Sequence, residues 1–329
     1  MGVPIFSLCL VAVNTFVLIT GYYSCEQNVR LAKIAHIWIE TVFYSIVLYL
    51  IACQIQGGGV SPREFVKRIL CITQERYWFI SCYVMLLILS PVLNMIIKKC
   101  THRELFNICL ILIIILSIFP NLPFYSYDLL NVNRGFSVIW FCALYIFGGY
   151  IRKWICEGKY SRRVWLVLYI IACLIMAVSI LLPYYLPWVI YMGSYTTYNS
   201  ITCLLGAVSL FCFFREVKFE QIYLKKLIEI VAPLSLAVFL IHHNKDTLDF
   251  LWQYINTISL QNNFWLIPYL FVVACGIVII CLIVDYIRIT IFELTKIHRL
   301  VQEIMTKIQD FITVYIMKVY EQLIIREKK

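Results

Sequence analysis

The chain has 329 residues, of which 62% are apolar and only 14% carry a charged side chain, and its mean hydropathy is +0.86. A soluble globular domain contains roughly 45–50% apolar and about 25% charged residues, so this composition excludes an ordinary soluble protein. The net charge of +10 comes from short basic clusters between apolar runs. Nucleic-acid binding is not expected, because it needs an exposed basic face with interleaved aromatic residues.

Apolar runs follow one another along the whole chain, and each approaches the length that crosses a bilayer. Open strands cannot cross lipid, and no alternating barrel pattern occurs, so the runs predict helices. The fold class is therefore all-α: a polytopic transmembrane helix bundle of about nine spans. The predicted spans are residues 3–23, 36–54, 77–97, 104–119, 136–151, 164–186, 198–214, 228–243 and 264–285.

The first two spans carry the first polar candidates. Asn14 lies in the middle of the first span, where its amide must find partners, either on another helix or on a substrate. His36 and Glu40 open the second span four residues apart and therefore share one helix face. A carboxylate one turn from an imidazole can orient it as a general base. The alternative is a polar pair at the membrane boundary.

A second group of candidates lies at the ends of two spans, on the side of the membrane that is predicted to face outward. Histidines can transfer protons there, and aromatic rings beside polar groups suit sugars, which present an apolar face and hydroxyl edges. The alternative is a set of ordinary interface anchors. The candidates are Arg76, Tyr77 and Trp78 at the start of the third span, and His242, His243 and Asn244 at the end of the eighth.

Most of the 28 Lys and Arg residues lie in alternate loops and in the C-terminal segment. The positive-inside rule places those loops and the C-terminus in the cytoplasm. With nine spans the N-terminus would then lie outside, and no basic residue precedes the first span. One further helix before it would return the N-terminus to the cytoplasmic side, so we expect that a first helix is missing.

The C-terminal segment has apolar residues at a spacing of three and four. This pattern predicts an amphipathic helix, which we expect to lie on the cytoplasmic leaflet; pairing with a second copy in a homodimer is the alternative. The predicted domains are a transmembrane domain, residues 1–290, and a cytoplasmic helical tail, residues 291–329. The apolar positions are Leu294, Ile297, Val301, Ile304, Ile308, Phe311 and Tyr315.

The 14 cysteines lie mostly inside the apolar runs. No Cys-x-x-Cys pair occurs, and no Cys/His cluster has the spacing of a zinc site. We therefore expect small packing residues and no metal site.

Four segments share a pattern with one known family. They are Phe16-Val17-Leu18-Ile19-Thr20-Gly21-Tyr22, the run from Tyr77-Trp78-Phe79 through Tyr83 to Ser90-Pro91, Tyr145-Ile146-Phe147-Gly148-Gly149, and Val238-Phe239-Leu240-Ile241-His242. In this order, and along almost the whole chain, they resemble the second, fourth, sixth and a late helix of the acyltransferase-3 family of integral membrane O-acyltransferases.

The resemblance implies ten helices and an enzyme of the bacterial plasma membrane. The enzyme would move an acyl group, usually acetyl, from cytoplasmic acyl-CoA to a hydroxyl of a surface polysaccharide or its lipid-linked precursor. It would need no permanently bound cofactor. The alternatives are a glycan transporter or flippase, a glycan polymerase, and an inactive, truncated remnant.

The family's first helix carries an Arg and the His taken as the catalytic base. This sequence begins at a segment similar to the second helix, which agrees with the missing helix that the loop charges predict. The candidates that remain are His242, His36 and Glu40 as catalytic residues. The candidate substrate-binding residues are Asn14, Arg76, Tyr77, Trp78, Tyr83 and Asn244.

Overall fold

A computed structural model describes residues 2–27, 31–71, 77–122, 128, 130–158, 160–186, 195–218, 220–255 and 265–311. Every regular element in these ranges is a helix, which confirms the predicted all-α class. The α-helices are α1 (Gly2–Cys9), α2 (Ala12–Ser24), α3 (Leu31–Ile55), α4 (Pro62–Ile69), α5 (Trp78–Lys99), α6 (His102–Ile113), α7 (Val138–Trp154), α8 (Arg162–Tyr185), α9 (Ile201–Arg215), α10 (Ile222–Val231), α11 (Ser235–His242), α12 (Lys245–Tyr254) and α13 (Leu266–Leu294).

Within the described residues, six helical segments are long and apolar enough to cross a membrane. They coincide with the first, second, third, fourth, sixth and ninth predicted spans, and the chain is a helical membrane protein. The segments are Ile5–Ser24, Leu31–Ile55, Trp78–Lys99, His102–Asn121, Arg162–Pro183 and Leu266–Leu294.

The other three predicted spans are either shorter helices or a helix that is interrupted. The fifth and seventh are α7 and α9, which have 17 and 15 residues. The eighth is divided between α10 and α11 by the 3₁₀ turn Ala232–Leu234. Pro233 explains this break, because its ring removes a backbone donor and clashes with the preceding turn.

The chain divides into two compact units. Unit 1 comprises Met1–Val29, Trp78–Lys226 and Asn256–Leu270. Its centre is the close crossing of α2 and α7, where a Cβ added to Gly21 would collide with the Tyr145 backbone. A Cβ added to Gly148 would likewise collide with the Leu18 carbonyl. The two glycines therefore allow the backbones to touch, as small residues do between membrane helices.

Unit 2 comprises Arg30–Tyr77, Leu227–Ile255 and Phe271–Lys329. Its helix α3 packs against α4, α11 and α12. The α13 side of the unit is joined to α3 by an edge-to-face contact of Phe43 with Phe292, with ring centroids 5.3 Å apart. This packing places polar side chains of α3 beside those of α13.

The tail follows α13 after a turn in which Lys296 adopts a left-handed φ of 56°. A residue in this conformation ends a helix, and the chain re-enters helix over residues 297–311. Val301 is buried, whereas Ile304, Ile308 and Phe311 are exposed. The described tail is thus a helix with an exposed apolar stripe; Tyr315 lies outside the described residues, and the predicted boundary at residue 290 stays a prediction.

Candidate functional site

The corner between α11 and α12 is fixed by a buried chain of hydrogen bonds. Asn244 caps α12 by accepting from the Asp246 backbone N–H at 3.0 Å, and its Nδ2 donates to the Tyr77 hydroxyl at 2.6 Å. The Tyr77 hydroxyl in turn donates to the Leu240 carbonyl oxygen at 3.1 Å. Both side chains are buried and their polar groups bond to each other and to the corner. Their geometry suits holding His242, at the end of α11, in place.

An ion pair fastens the same corner to α4. Arg68 is almost completely buried and binds both carboxylate oxygens of Asp246, with an Nη2–Oδ1 distance of 3.2 Å. Its guanidinium also lies over the Tyr49 ring, 4.5 Å from the centroid. A two-point Arg–carboxylate contact fixes orientation as well as distance. The sequence did not single out Arg68, because a basic residue between two spans is normally interpreted as a marker of membrane orientation.

The His242 ring is oriented by a contact within its own helix. Its Nδ1 lies against the backbone carbonyl oxygen of Val238. A carbonyl only accepts, so this contact selects the tautomer of the neutral imidazole in which Nδ1 carries the proton and Nε2 has the lone pair. Beside it, the His243 ring stacks on Phe239 with centroids 4.9 Å apart.

Unit 2 contains a second polar group, which we name the α3–α13 charge cluster: Glu40, Tyr44, Asp285 and Arg288. Asp285 is fully buried and accepts from the Tyr44 hydroxyl at 2.7 Å. Arg288 donates to both oxygens of Asp285, at 2.5 and 3.2 Å. Glu40 Oε1 lies 3.5 Å from Arg288 Nη2. Sequence reasoning missed Asp285 and Arg288, since both fall at the end of the last apolar run.

His36 and Glu40 were predicted to share one helix face; Glu40 belongs to this cluster, and His36 lies one turn before it on α3. The His36 ring meets the His298 ring with centroids 4.8 Å apart. His36 Nε2 and Glu40 Oε1 are both buried, and neither has a hydrogen bond within the described residues. Burial and the nearby Arg288 charge hold the pKa of His298, which lies beyond α13, below its usual value. His298 is therefore mainly neutral at pH 7.

In unit 1, Asn14 ties three segments together. Its Nδ2 donates to the Tyr198 carbonyl oxygen at 2.7 Å and to Cys203 Sγ at 3.4 Å, while its Oδ1 accepts from Trp140 Nε1 at 3.1 Å. The side chain is 0% exposed. These bonds use the amide at both ends, so the geometry favours the interhelical role over a substrate contact.

Aromatic rings gather in unit 1 around Trp78. The centroid of its ring lies 4.4 Å from the Phe136 ring centroid and 5.8 Å from the Tyr198 ring centroid. Tyr83 is buried, and its hydroxyl lies 3.2 Å from Thr20 Oγ1. Trp78 is half-buried and is therefore more accessible than Tyr83, the other aromatic residue of unit 1 that was predicted to contact substrate.

The structure distributes the predicted residues over both units. Unit 1 holds Asn14, Trp78 and Tyr83, and unit 2 holds His36, Glu40, Tyr77, His242 and Asn244. The structure brings Tyr77 together with Asn244. It places Glu40 beside Arg288 and the His36 ring beside that of His298. Arg76 lies outside the described residues.

A comparison with protein families identifies the family of this chain. The model of the acyltransferase-3 family, described as an acyltransferase domain, matches residues 2–286. No curated protein and no solved structure matches the chain. The family match covers most of the chain; Arg288 and His298 lie beyond its end. The chain therefore belongs to the acyltransferase-3 family.

Proposed function

We propose that the protein is a membrane-bound O-acyltransferase that moves an acetyl or similar acyl group from acyl-CoA to a hydroxyl of a bacterial surface polysaccharide or its lipid-linked precursor. The observation that carries the proposal is the acyltransferase-domain match over residues 2–286. Helices long enough to span a membrane agree with an enzyme that works on lipid-linked or exported glycans. Acyl-CoA is a substrate in this reaction, so no resident cofactor is needed.

The reaction needs a base at the hydroxyl. As the hydroxyl oxygen attacks the thioester carbonyl, a C–O bond forms, the C–S bond breaks, and CoA leaves as a thiolate that takes up a proton. We assign the base to His242, because its Nδ1 is held by the Val238 carbonyl and its Nε2 bears the lone pair. Tyr77 and Asn244 are positioning residues that act through the α11–α12 corner.

Trp78 is the proposed aromatic contact of the glycan. A sugar ring has an apolar face that packs well on an indole. Trp78 is half-buried and flanked by Phe136 and Tyr198, so it offers such a face. A substitution Trp78→Ala that weakens glycan binding without lowering expression would support this assignment.

The orientation follows from the loop charges. The basic loops and the C-terminal tail lie in the cytoplasm of a bacterial cell, and acyl-CoA approaches from that side. Its acyl end therefore has to reach across the bundle to His242, which lies at the opposite, outer ends of the helices. The tail helix lies on the cytoplasmic leaflet through the exposed Ile304, Ile308 and Phe311, with pairing of two copies as the alternative.

Deletion of the gene at its native locus tests the proposal. Ester-linked acyl groups are released from the purified surface polysaccharide by mild base and quantified. We expect them to disappear in the deletion strain and to return with the wild-type gene. An unchanged acyl content in the deletion strain would refute the acyltransferase function.

A second comparison tests the base. His242→Gln at the same locus is expected to abolish the acyl groups while the protein remains in the membrane. His102→Gln changes an exposed histidine of unit 1 and serves as the matched control. Full acylation in the His242→Gln strain would remove His242 from the mechanism and leave the family assignment intact.

A further inference from the structure

The α3–α13 charge cluster contains two carboxylates and one guanidinium. Asp285 accepts two hydrogen bonds from the guanidinium of Arg288 and one from the hydroxyl of Tyr44. The charge of Arg288 is thus already matched by Asp285. Glu40 is the carboxylate in excess, and it touches Arg288 only through the longer contact of 3.5 Å.

The cluster is withdrawn from water. The side chains of Asp285, Arg288 and Glu40 are 0%, 4% and 14% exposed. Arg288 Nη1 and Glu40 Oε1 are both buried, with no hydrogen-bond partner within the described residues. A second ionised carboxylate here would be repelled by Asp285 and would leave one uncompensated negative charge in a spanning region. A buried group in such a position takes up a proton instead.

From this geometry we propose that Glu40 is a proton-binding site, and that His36 and His298 connect its proton to the surface. His36 lies one turn before Glu40 on the same face of α3. Its ring touches that of His298, which is half-buried on the tail helix beyond the end of α13. Glu40, His36 and His298 therefore form a series from the buried carboxyl to the half-buried ring on the tail helix.

The proton rests on Glu40 and passes through the imidazoles. A protonated His36 would need an acceptor at Nε2, and none is present there in the described structure. In the exchange step, the Glu40 carboxyl gives its proton to the neutral His36 ring, forming a carboxylate and an imidazolium. The titratable and charged groups that face the site are His36 and Tyr44 on α3, Asp285 and Arg288 on α13, and His298 on the tail helix.

This site lies apart from the base assigned above and goes beyond the proposed function. Neither its occupancy nor its exchange requires acyl transfer, so it is measured on the protein without substrate. A membrane acyltransferase handles a proton in each turnover, since one leaves the hydroxyl and one reaches the thiolate. A proton held in a spanning helix gives the protein a second acid–base group.

Infrared spectroscopy tests the proposal directly. The full chain is reconstituted in lipid nanodiscs, and the carbonyl band of a protonated carboxylic acid is recorded between pH 6 and 8. We expect this band at neutral pH in the wild type. We expect it to shift when glutamate alone is labelled with ¹³C and to vanish in Glu40→Gln. Glu303→Gln, which changes an exposed tail carboxylate, serves as control and should keep the band.

Two further variants test the charge count and the route. Asp285→Asn should also remove the acid band, because Arg288 is then free to pair with an ionised Glu40. His298→Phe keeps the ring contact and should keep the band, but slow its hydrogen–deuterium exchange. The proposal is overturned by a wild type without the band at neutral pH. It is equally overturned by a band that ¹³C-glutamate does not shift, or by one that persists in a folded Glu40→Gln protein.

Discussion

At the scale of single residues, polar groups in this chain acquire a role only through their partners. Asn14 and Asn244 look alike in the sequence, as lone amides near apolar runs. In the structure Asn14 joins α2 to Trp140 and Cys203, whereas Asn244 caps α12 and holds the Tyr77 hydroxyl. The sequence predicts that a buried amide must be satisfied, but partners so distant in the chain are set by the tertiary structure.

Removal of the Asn14 amide should destabilise unit 1. Asn14→Ala leaves the indole N–H of Trp140 buried without an acceptor, which costs roughly 1–3 kcal/mol. We expect a lower Tm of the purified protein in detergent, recorded by intrinsic fluorescence. Asn107→Ala, at an exposed position of α6, is the matched control and should leave Tm unchanged. Equal Tm values for the two variants would contradict the interhelical role.

His298 should make stability depend on pH. Its folded pKa is lowered by burial and by Arg288, below the unfolded value of about 6.5. The unfolded state therefore binds more protons between the two pKa values, so stability is full above pH 6.5 and falls as the pH drops towards the folded pKa. His298→Gln should reduce the fall of Tm between pH 7.5 and 5, a range that brackets the unfolded-state pKa of about 6.5. An unchanged slope would show that His298 does not contribute to it.

At the scale of elements, the helices follow from the apolar pattern and their closest contacts follow from glycine. The sequence predicts that α2 and α7 are helices, and the composition of both is apolar. Only the structure shows that Gly21 and Gly148 face backbone of the other helix. Periodicity defines one helix at a time, whereas this contact depends on the rotation of two.

An added methyl group at this crossing should be poorly tolerated. Gly148→Ala places a Cβ against the Leu18 carbonyl, which neither backbone can avoid without a shift. Overpacking of this kind costs typically 1–3 kcal/mol, so we expect less folded protein in the membrane and a lower Tm. Gly276→Ala on α13 meets nothing within 4 Å and is the matched control. If both variants behave alike, the crossing does not require glycine.

At the scale of the whole molecule, the arrangement in the membrane rests on the loop charges. The loop with Gly57, Gly58 and Gly59 is predicted outside, and the loop with Cys156 inside. In Gly58→Cys/Cys156→Ser cells, a membrane-impermeant thiol reagent should label the protein without permeabilisation. Native Cys156, which is exposed, should be labelled only after permeabilisation. The opposite pattern would invert the proposed orientation; Gly58 has open space around it, so the added thiol disturbs nothing.

The sequence by itself determined that the chain is an all-helical membrane protein, since burying this much apolar surface in helices leaves no other solvent than lipid. The family followed from motifs kept in order. The length of the helical pieces was decided locally, as at Pro233. Asp285 and Arg288 lie three residues apart on α13, so their pairing follows from helix geometry. The tertiary structure alone decided the ion pair of Arg68 with Asp246 and the approach of Glu40 to Arg288. Residues this far apart in the chain carry no shared periodicity, so only packing brings their charges together.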